Sequence, residues 1–317
     1  MRLLSLALAA ALAAAALAGP AHAQTAPADK LTVLLDWFVN PDHAALVVAK
    51  EKGYFAKAGL DVTLVEPADP SAPPRLVGAD QGDIAITYQP NLYQQVQEGL
   101  PVTRVGAAVA TPLNSLVVLA DGPIKSIADL KGRTVGYSIA GFEEALLSTM
   151  LGEAGLKLSD VKLVNVNFAL TPALMAGQVD AVIGAFRNFE LTELRLAGKP
   201  GRAFFPEEHG VPPYDELIYI VKQDRAADPK VKRFLDAVEQ ATLSILNDPD
   251  SAWAAFVKAN PKLDDELNKT AWADTLKRLA ASPAALDGAR YARFAQFMKD
   301  RGLIDAIQPV SRYAVAR

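Results

Sequence analysis

Residues 31–66 read LTVLLDWFVNPDHAALVVAKEKGYFAKAGLDVTLVE, and this stretch constrains the fold most. Residues 31–35 are an apolar, β-rich run of strand length, and residues 61–66 are a second. The segment between them carries a helix marked at both ends. Asn40 is a good N-cap, and Pro41 suits the first helical position, where a missing N–H costs nothing. Gly53 stands where a left-handed residue closes a helix. Strand, helix, strand is a βαβ unit, whose crossover is almost always right-handed. Ligands of open parallel sheets sit beyond the carboxyl ends of the strands. Asp36, Trp37, Asn40 and His43 are therefore expected at the mouth of a crevice, beside the free N–H groups of a helix start.

The run from Asp36 to Pro67, above all Asp-Trp-Phe followed by Asn-Pro-Asp-His, resembles the opening of bacterial solute-binding proteins for thiamine pyrimidine precursors. These belong to the family named for the thiamine-pyrimidine synthase of fungi. The resemblance runs over residues 31–261. Lys-Gly-Tyr-Phe and Gly-Leu-Asp-Val within it are shared more widely among type II solute-binding proteins. It implies an α/β fold of two lobes, each a mainly parallel sheet flanked by helices, with a ligand cleft between them.

Residues 1–23 have the pattern of a cleavable secretory leader. Arg2 gives the positive end, residues 3–17 the apolar run, and Ala21-His22-Ala23 the small-residue cleavage site. There is no cysteine, which excludes a lipidated cysteine, disulfides, thiolate metal sites and thiol nucleophiles. Export without a lipid anchor points to a Gram-negative periplasm. The 317 residues suit two lobes better than one. A net charge of −4 with no basic block argues against nucleic acid and anionic membranes.

The strand–helix pattern continues. Residues 83–87 read as a strand, and Tyr88 and Asn91 fall at another strand-to-helix corner. Residues 102–109 and 114–120 read as strands, and at Asp121-Gly122-Pro123 the pattern restarts. Ser126 to Asp129 resembles a capping box with Asp in place of Glu. A strand at 133–137 turns through Gly141, which permits close backbone approach, into a helix over 142–153. No Gly-Lys-Ser/Thr ending follows, so this is no phosphate loop. A strand over 161–166, a helix capped by Thr171-Pro172, and a strand over 180–185 lead to Phe186-Arg187-Asn188-Phe189-Glu190. Residues 214–222 read as a strand returning to the first lobe, and the chain is helical from Pro229 onward. The expected division is a leader over 1–23, lobe one over 30–120, lobe two over 121–213, and a return to lobe one over 214–317. The strands near 115–119 and 217–221 are then the crossovers.

Candidate ligand contacts are Asp36, Trp37, Asn40, His43, Tyr88, Asn91, Gly141, Phe142, Phe186, Asn188, Glu190 and Tyr214. A flat heterocycle stacks on aromatic faces, a carboxylate accepts from an exocyclic amine, and an amide serves both kinds of edge. Each has a structural alternative. Asp36 could cap local backbone, Glu190 could favour a helix start, Tyr88 could be core, and only one of Phe186 and Phe189 is expected to face the cleft. Arg187 is the residue that could instead receive an anion, pair with Glu190 or point to solvent.

In the fungal synthases the residue matching His43 takes part in making the pyrimidine, alongside a lysine for pyridoxal phosphate and a cysteine-rich iron motif. Here Thr87 stands at the lysine position and HGVPPYDE, residues 209–216, at the cysteine position. Threonine forms no Schiff base. No cofactor, metal or catalytic constellation is expected, and His43 reads as a hydrogen-bonding group near the ligand or a cap. The resemblance implies a binding component that delivers a heterocyclic solute to the permease and ATPase subunits of an ABC importer. A pyrimidine-forming enzyme, or the same fold holding riboflavin, a sulfonate or nitrate, are the alternatives.

Overall fold

The computed structural model describes residues 27–317, so the leader and cleavage position read at residues 1–23 lie outside them. β1 (Asp29–Leu34) passes through a short 3-10 turn, Pro41–His43, into α1 (Ala44–Glu51). Asn40 caps that turn as its side chain suggests, and Gly53, at φ +73°, ends the helix. α2 (Tyr54–Lys57) then leads to β2 (Leu60–Val65), which pairs with β1 in parallel from Asp29↔Leu60 to Leu34↔Val65. α3 (Pro73–Gly78), β3 (Ile84–Thr87), α4 (Gln89–Gln97) and β4 (Val102–Val109) complete the first pass. Every residue of β3 and β4 is buried, as expected of strands covered on both faces.

The chain then crosses. β5 (Asn114–Leu119), β6 (Thr134–Tyr137), α5 (Phe142–Glu153), β7 (Lys162–Asn165), α6 (Leu170–Met175), β8 (Ala181–Phe186), α7 (Glu190–Leu196) and β9 (Gly201–Phe204) build the second lobe. β10 (Leu217–Lys222) returns to the first. It is followed by α8 (Pro229–Asn247), α9 (Pro249–Ala259), α10 (Glu266–Thr275) and α11 (Gly288–Asp300). Helices α8 and α9 pack on α1, so the C-terminal segment closes over the outer face of the first sheet.

The strand orders are β2-β1-β3-β10-β4 and β7-β6-β8-β5-β9. The two sheets repeat one plan. Three strands run parallel, and the strand that has just crossed over is inserted antiparallel between the third and fourth. The fold is α/β, with two mixed sheets flanked by helices. Residues 114–119, expected at the end of the first lobe, belong to the second sheet instead. Their partners β8 and β9 come later in the chain, and nothing local marks that pairing. The return strand begins at Leu217 rather than Tyr214, and Thr171 lies inside α6, whose N-cap is Ala169. The Ser126 capping box with Asp129 is present.

Candidate functional site

The first wall of the cleft is the loop after β1. Asn40 Oδ1 accepts the Asp42 N–H at 2.8 Å, and the Asn40 N–H donates to His43 Nδ1 at 3.3 Å. With Nδ1 accepting, the ring proton belongs on Nε2, 2.9 Å from Asp36 Oδ1. The Tyr88 hydroxyl donates to the other oxygen, Asp36 Oδ2, at 2.9 Å. Burial and the nearby Asp36 charge push the Tyr88 phenol well above its ordinary range, which keeps it a donor. Asp36, His43 and Tyr88 are all buried and all line the cavity, but their polar atoms are committed to one another.

The second wall comes from the other lobe. Gly184 occupies an irregular point of the β5–β8 pairing at φ +106°, where a Cβ would lie 2.3 Å from Glu143 Oε1. Any larger residue would be strained at this φ and would push the carboxyl aside. Glu143 Oε2 accepts the Ser138 N–H at 2.6 Å, and Glu190 Oε2 accepts the Phe186 N–H at 2.7 Å. Burial pushes both carboxyls up to about 8, against the lowering effect of these backbone donors. At neutral pH they are therefore largely protonated and can donate as well as accept.

Aromatic contacts join the walls. Tyr88 stacks on Phe142 with centroids 4.8 Å apart and planes 14° apart, and the Trp37 edge meets Phe168 at 4.7 Å. Phe186 and Phe189 both line the cavity, so the expectation that one alone would face it is corrected. Among the described residues, four carboxyls line this cavity (Asp36, Asp42, Glu143 and Glu190) and no lysine or arginine does. The lobes are closely apposed, leaving a free volume of about 30 Å³, room for a water-sized group.

Of the predicted residues, Asp36, Trp37, Asn40, His43, Tyr88, Phe186 and Glu190 converge here. Five do not line the cavity. Asn91 and Gly141 border a separate crevice beside Gln94 and Leu303, because α4 turns Asn91 away from the strand end. Asn188 lies behind the cleft, its Nδ2 donating to Asp42 Oδ1 at 2.7 Å and Thr275 Oγ1 at 2.8 Å. Tyr214 is core, edge-on to Phe142 and Phe294. Phe142 itself is wholly buried under Tyr88. Arg187 holds Glu207 at 2.9 Å and covers the Phe205 ring, with no bond to Glu190. Sequence reasoning missed Asp42, Glu143, Leu170, Gly184 and Leu217 as lining residues. The one available signal for Asp42 is its place inside Asn-Pro-Asp-His. Glu143, two residues after Gly141, reads as an ordinary helix-start acid.

Residues 40–252 match the family model described as NMT1/THI5 like. The chain belongs to that family. Among NMT1/THI5-like relatives, a thiamine biosynthesis protein of Haemophilus influenzae is 54% identical over 90% of this chain and 92% of its own. A formylaminopyrimidine-binding protein of Halalkalibacterium halodurans is 40% identical over 61% of this chain and 58% of its own. A 4-amino-5-hydroxymethyl-2-methylpyrimidine phosphate synthase of Saccharomyces cerevisiae is 28% identical over 76% and 74%. In fold, the chain matches the alkanesulfonate-binding protein of Xanthomonas axonopodis pv. citri, solved with MOPS. The TM-score is 0.72 at 19% identity, covering 92% of this chain and 99% of that one.

Proposed function

We propose that this protein is the periplasmic solute-binding component of an ABC importer, and that it takes up an aminopyrimidine precursor of thiamine related to formylaminopyrimidine. The observation that carries the reading is the lining of the cleft: aromatic faces and four carboxyls, with no lysine or arginine among the described lining residues. An aminopyrimidine edge pairs a ring-nitrogen acceptor with an exocyclic N–H donor. A protonated carboxyl such as Glu190 offers the matching O–H and C=O. A sulfonate or nitrate would need Arg or Lys forks and would meet carboxyls instead. The relative named for formylaminopyrimidine supports the cargo class, and the leader pattern supports export. Permease and ATPase subunits follow as partners from the importer reading.

The synthase reading is disfavoured on chemical grounds. Thr87 ends β3, buried, where the family resemblance puts the lysine, and the chain has no cysteine for the iron motif. Titration of Trp37 fluorescence with an aminopyrimidine, taurine and nitrate tests the cargo. The pyrimidine should quench, and Trp37→Ala should lose at least ~1 kcal/mol of binding. Tight binding of taurine or nitrate with no response to the pyrimidine would reverse the assignment. Pyrimidine product on incubation with pyridoxal phosphate, iron and oxygen would restore the enzyme.

A further inference from the structure

Asp42 follows Pro41 in the turn that Asn40 caps, and its two carboxyl oxygens are used unequally. Oδ1 accepts two bonds, from Asn188 Nδ2 of the second lobe at 2.7 Å and from Thr275 Oγ1 of α10 at 2.8 Å. Oδ2 accepts none among the described residues and is sealed from water. Asn188 Oδ1 is sealed and unpartnered in the same way. One residue pair, already joined by a hydrogen bond, thus holds two orphaned acceptors, and burying an acceptor unpaired is costly. A single proton on Oδ2 resolves both, because a carboxylic acid accepts at its carbonyl oxygen and donates from the other. The surroundings favour that form. Asp36 and His43 on the same loop are bonded to each other, Glu143 and Glu190 of the second lobe are buried carboxyls on the same cavity, and no lysine or arginine lines it among the described residues. On α10, Glu266, Lys269 and Asp274 pair at the surface with Arg195, Asp264 and Lys277, and Arg187 beside Asn188 holds Glu207. Burial raises the Asp42 carboxyl above its ordinary range, against lowering by its Thr275 and Asn188 bonds and by His43.

We propose that the cleft binds a proton when it closes: Asp42 Oδ2 carries it and donates it to Asn188 Oδ1, completing a two-bond acid–amide pair between the lobes. This rests on the reading of a cleft that closes on a solute, and adds a proton to what the closed cleft holds. Parting the lobes withdraws Asn188 and opens Asp42 to water, where a carboxyl near neutral pH gives its proton to solvent. Closure reverses the step. The carboxylate takes one proton from solvent, and its negative charge disappears as the second hydrogen bond forms. The closed form has the raised pKa, so the pair's contribution to closure is fully present below the ordinary carboxylate range. It weakens as pH rises and is lost above the pKa of the closed form.

Calorimetric titration of the full chain with formylaminopyrimidine, in two buffers of different ionisation enthalpy at pH 6, counts the protons taken up on binding. Asp42→Asn puts a permanent N–H where the acid O–H stands, so its pair needs no proton. Wild type should take up about one proton per molecule more than the variant, and uptake by Glu143 and Glu190 cancels in the difference. Equal uptake would overturn the inference. Infrared spectra of wild type carrying carbon-13 carboxyl-labelled aspartate decide the matter even if the variant does not fold. A protonated-carboxyl C=O stretch that moves with the label is expected, which the glutamates cannot supply, and its absence would overturn the inference. Failure of the pyrimidine to bind wild type would instead remove the aminopyrimidine reading, and the labelled spectrum of the free chain would still decide on the proton.

Discussion

Glu143 and Glu190 reach the cleft from the second lobe, each with one oxygen tied to a backbone N–H and both carboxyls buried. Each has its folded pKa raised from 4.5 to about 8. Below 4.5 the carboxyl is protonated in both folded and unfolded chains, and its stabilising difference is fully present. Between 4.5 and about 8 the unfolded chain has lost the proton while the folded chain keeps it. Rising pH therefore favours unfolding, and the contribution is gone above the folded pKa. Urea melts at pH 5, 6, 7 and 8 should show stability falling across that window. Glu143→Gln, which stays neutral and retains an acceptor for the Ser138 N–H, should flatten the decline. A wild-type profile that is level, or that rises, would mean these carboxyls are ionised in the folded cleft.

At the scale of elements, Gly184 shows how a strand irregularity positions a site. At φ +106° it lets β8 pass beneath Glu143 with no side chain between them. Gly184→Ala adds a methyl group 2.3 Å from Glu143 Oε1 and strains the backbone, which should cost about 1–3 kcal/mol. Denaturant titration would measure it, and a loss below the error of the melt would mean that Glu143 is free to swing away. The signals that were legible in the sequence are local ones. Asn40-Pro41 and Gly53 mark both ends of the first helical segment, and Phe142–Glu153 follows Gly141 as its pattern predicts. Features that depend on distant partners were not legible. The sheet joined by Asn114–Leu119 is set by strands still to come, and the short β9, Gly-Arg-Ala-Phe, has no apolar alternation to announce it. Likewise Asn91 and Tyr214 are of the right type for a pocket, but tertiary packing chose the face of α4 and the depth of the segment before β10.

Across the whole molecule, the closed cleft sets a mechanical problem. A free volume of about 30 Å³ takes a water-sized group, so a heterocycle enters only if the lobes part. Two short segments connect them, 110–113 outward and 205–216 back, and they are laced together. Glu216 Oε2 accepts the Leu113 and Asn114 N–H groups at 2.6 and 2.9 Å, while Arg187 Nη2 donates to the Asn114 carbonyl at 3.0 Å and to Glu207 at 2.9 Å. Motion between the lobes is then expected to be confined to these two segments, as at a hinge. The contacts that must break include the Tyr88–Phe142 stack, the contacts of Trp37 and Phe38 with Phe168, the Asn188 hydrogen bonds to Asp42 and Thr275, the Gln94–Gly141 hydrogen bond and the Arg301–Glu153 ion pair. Many are polar and water can replace them, so the open state is expected to be accessible without ligand, and a bound ring adds stacking and hydrogen bonds that favour closure. Small-angle scattering should show a smaller radius of gyration at saturation with an aminopyrimidine than in its absence. Phe142→Ala, which removes one face of the interlobe stack, should widen that difference by shifting the free protein further open. An identical scattering envelope with and without saturating pyrimidine would show that cargo enters through local side-chain movement and that the two laced crossings hold the lobes fixed.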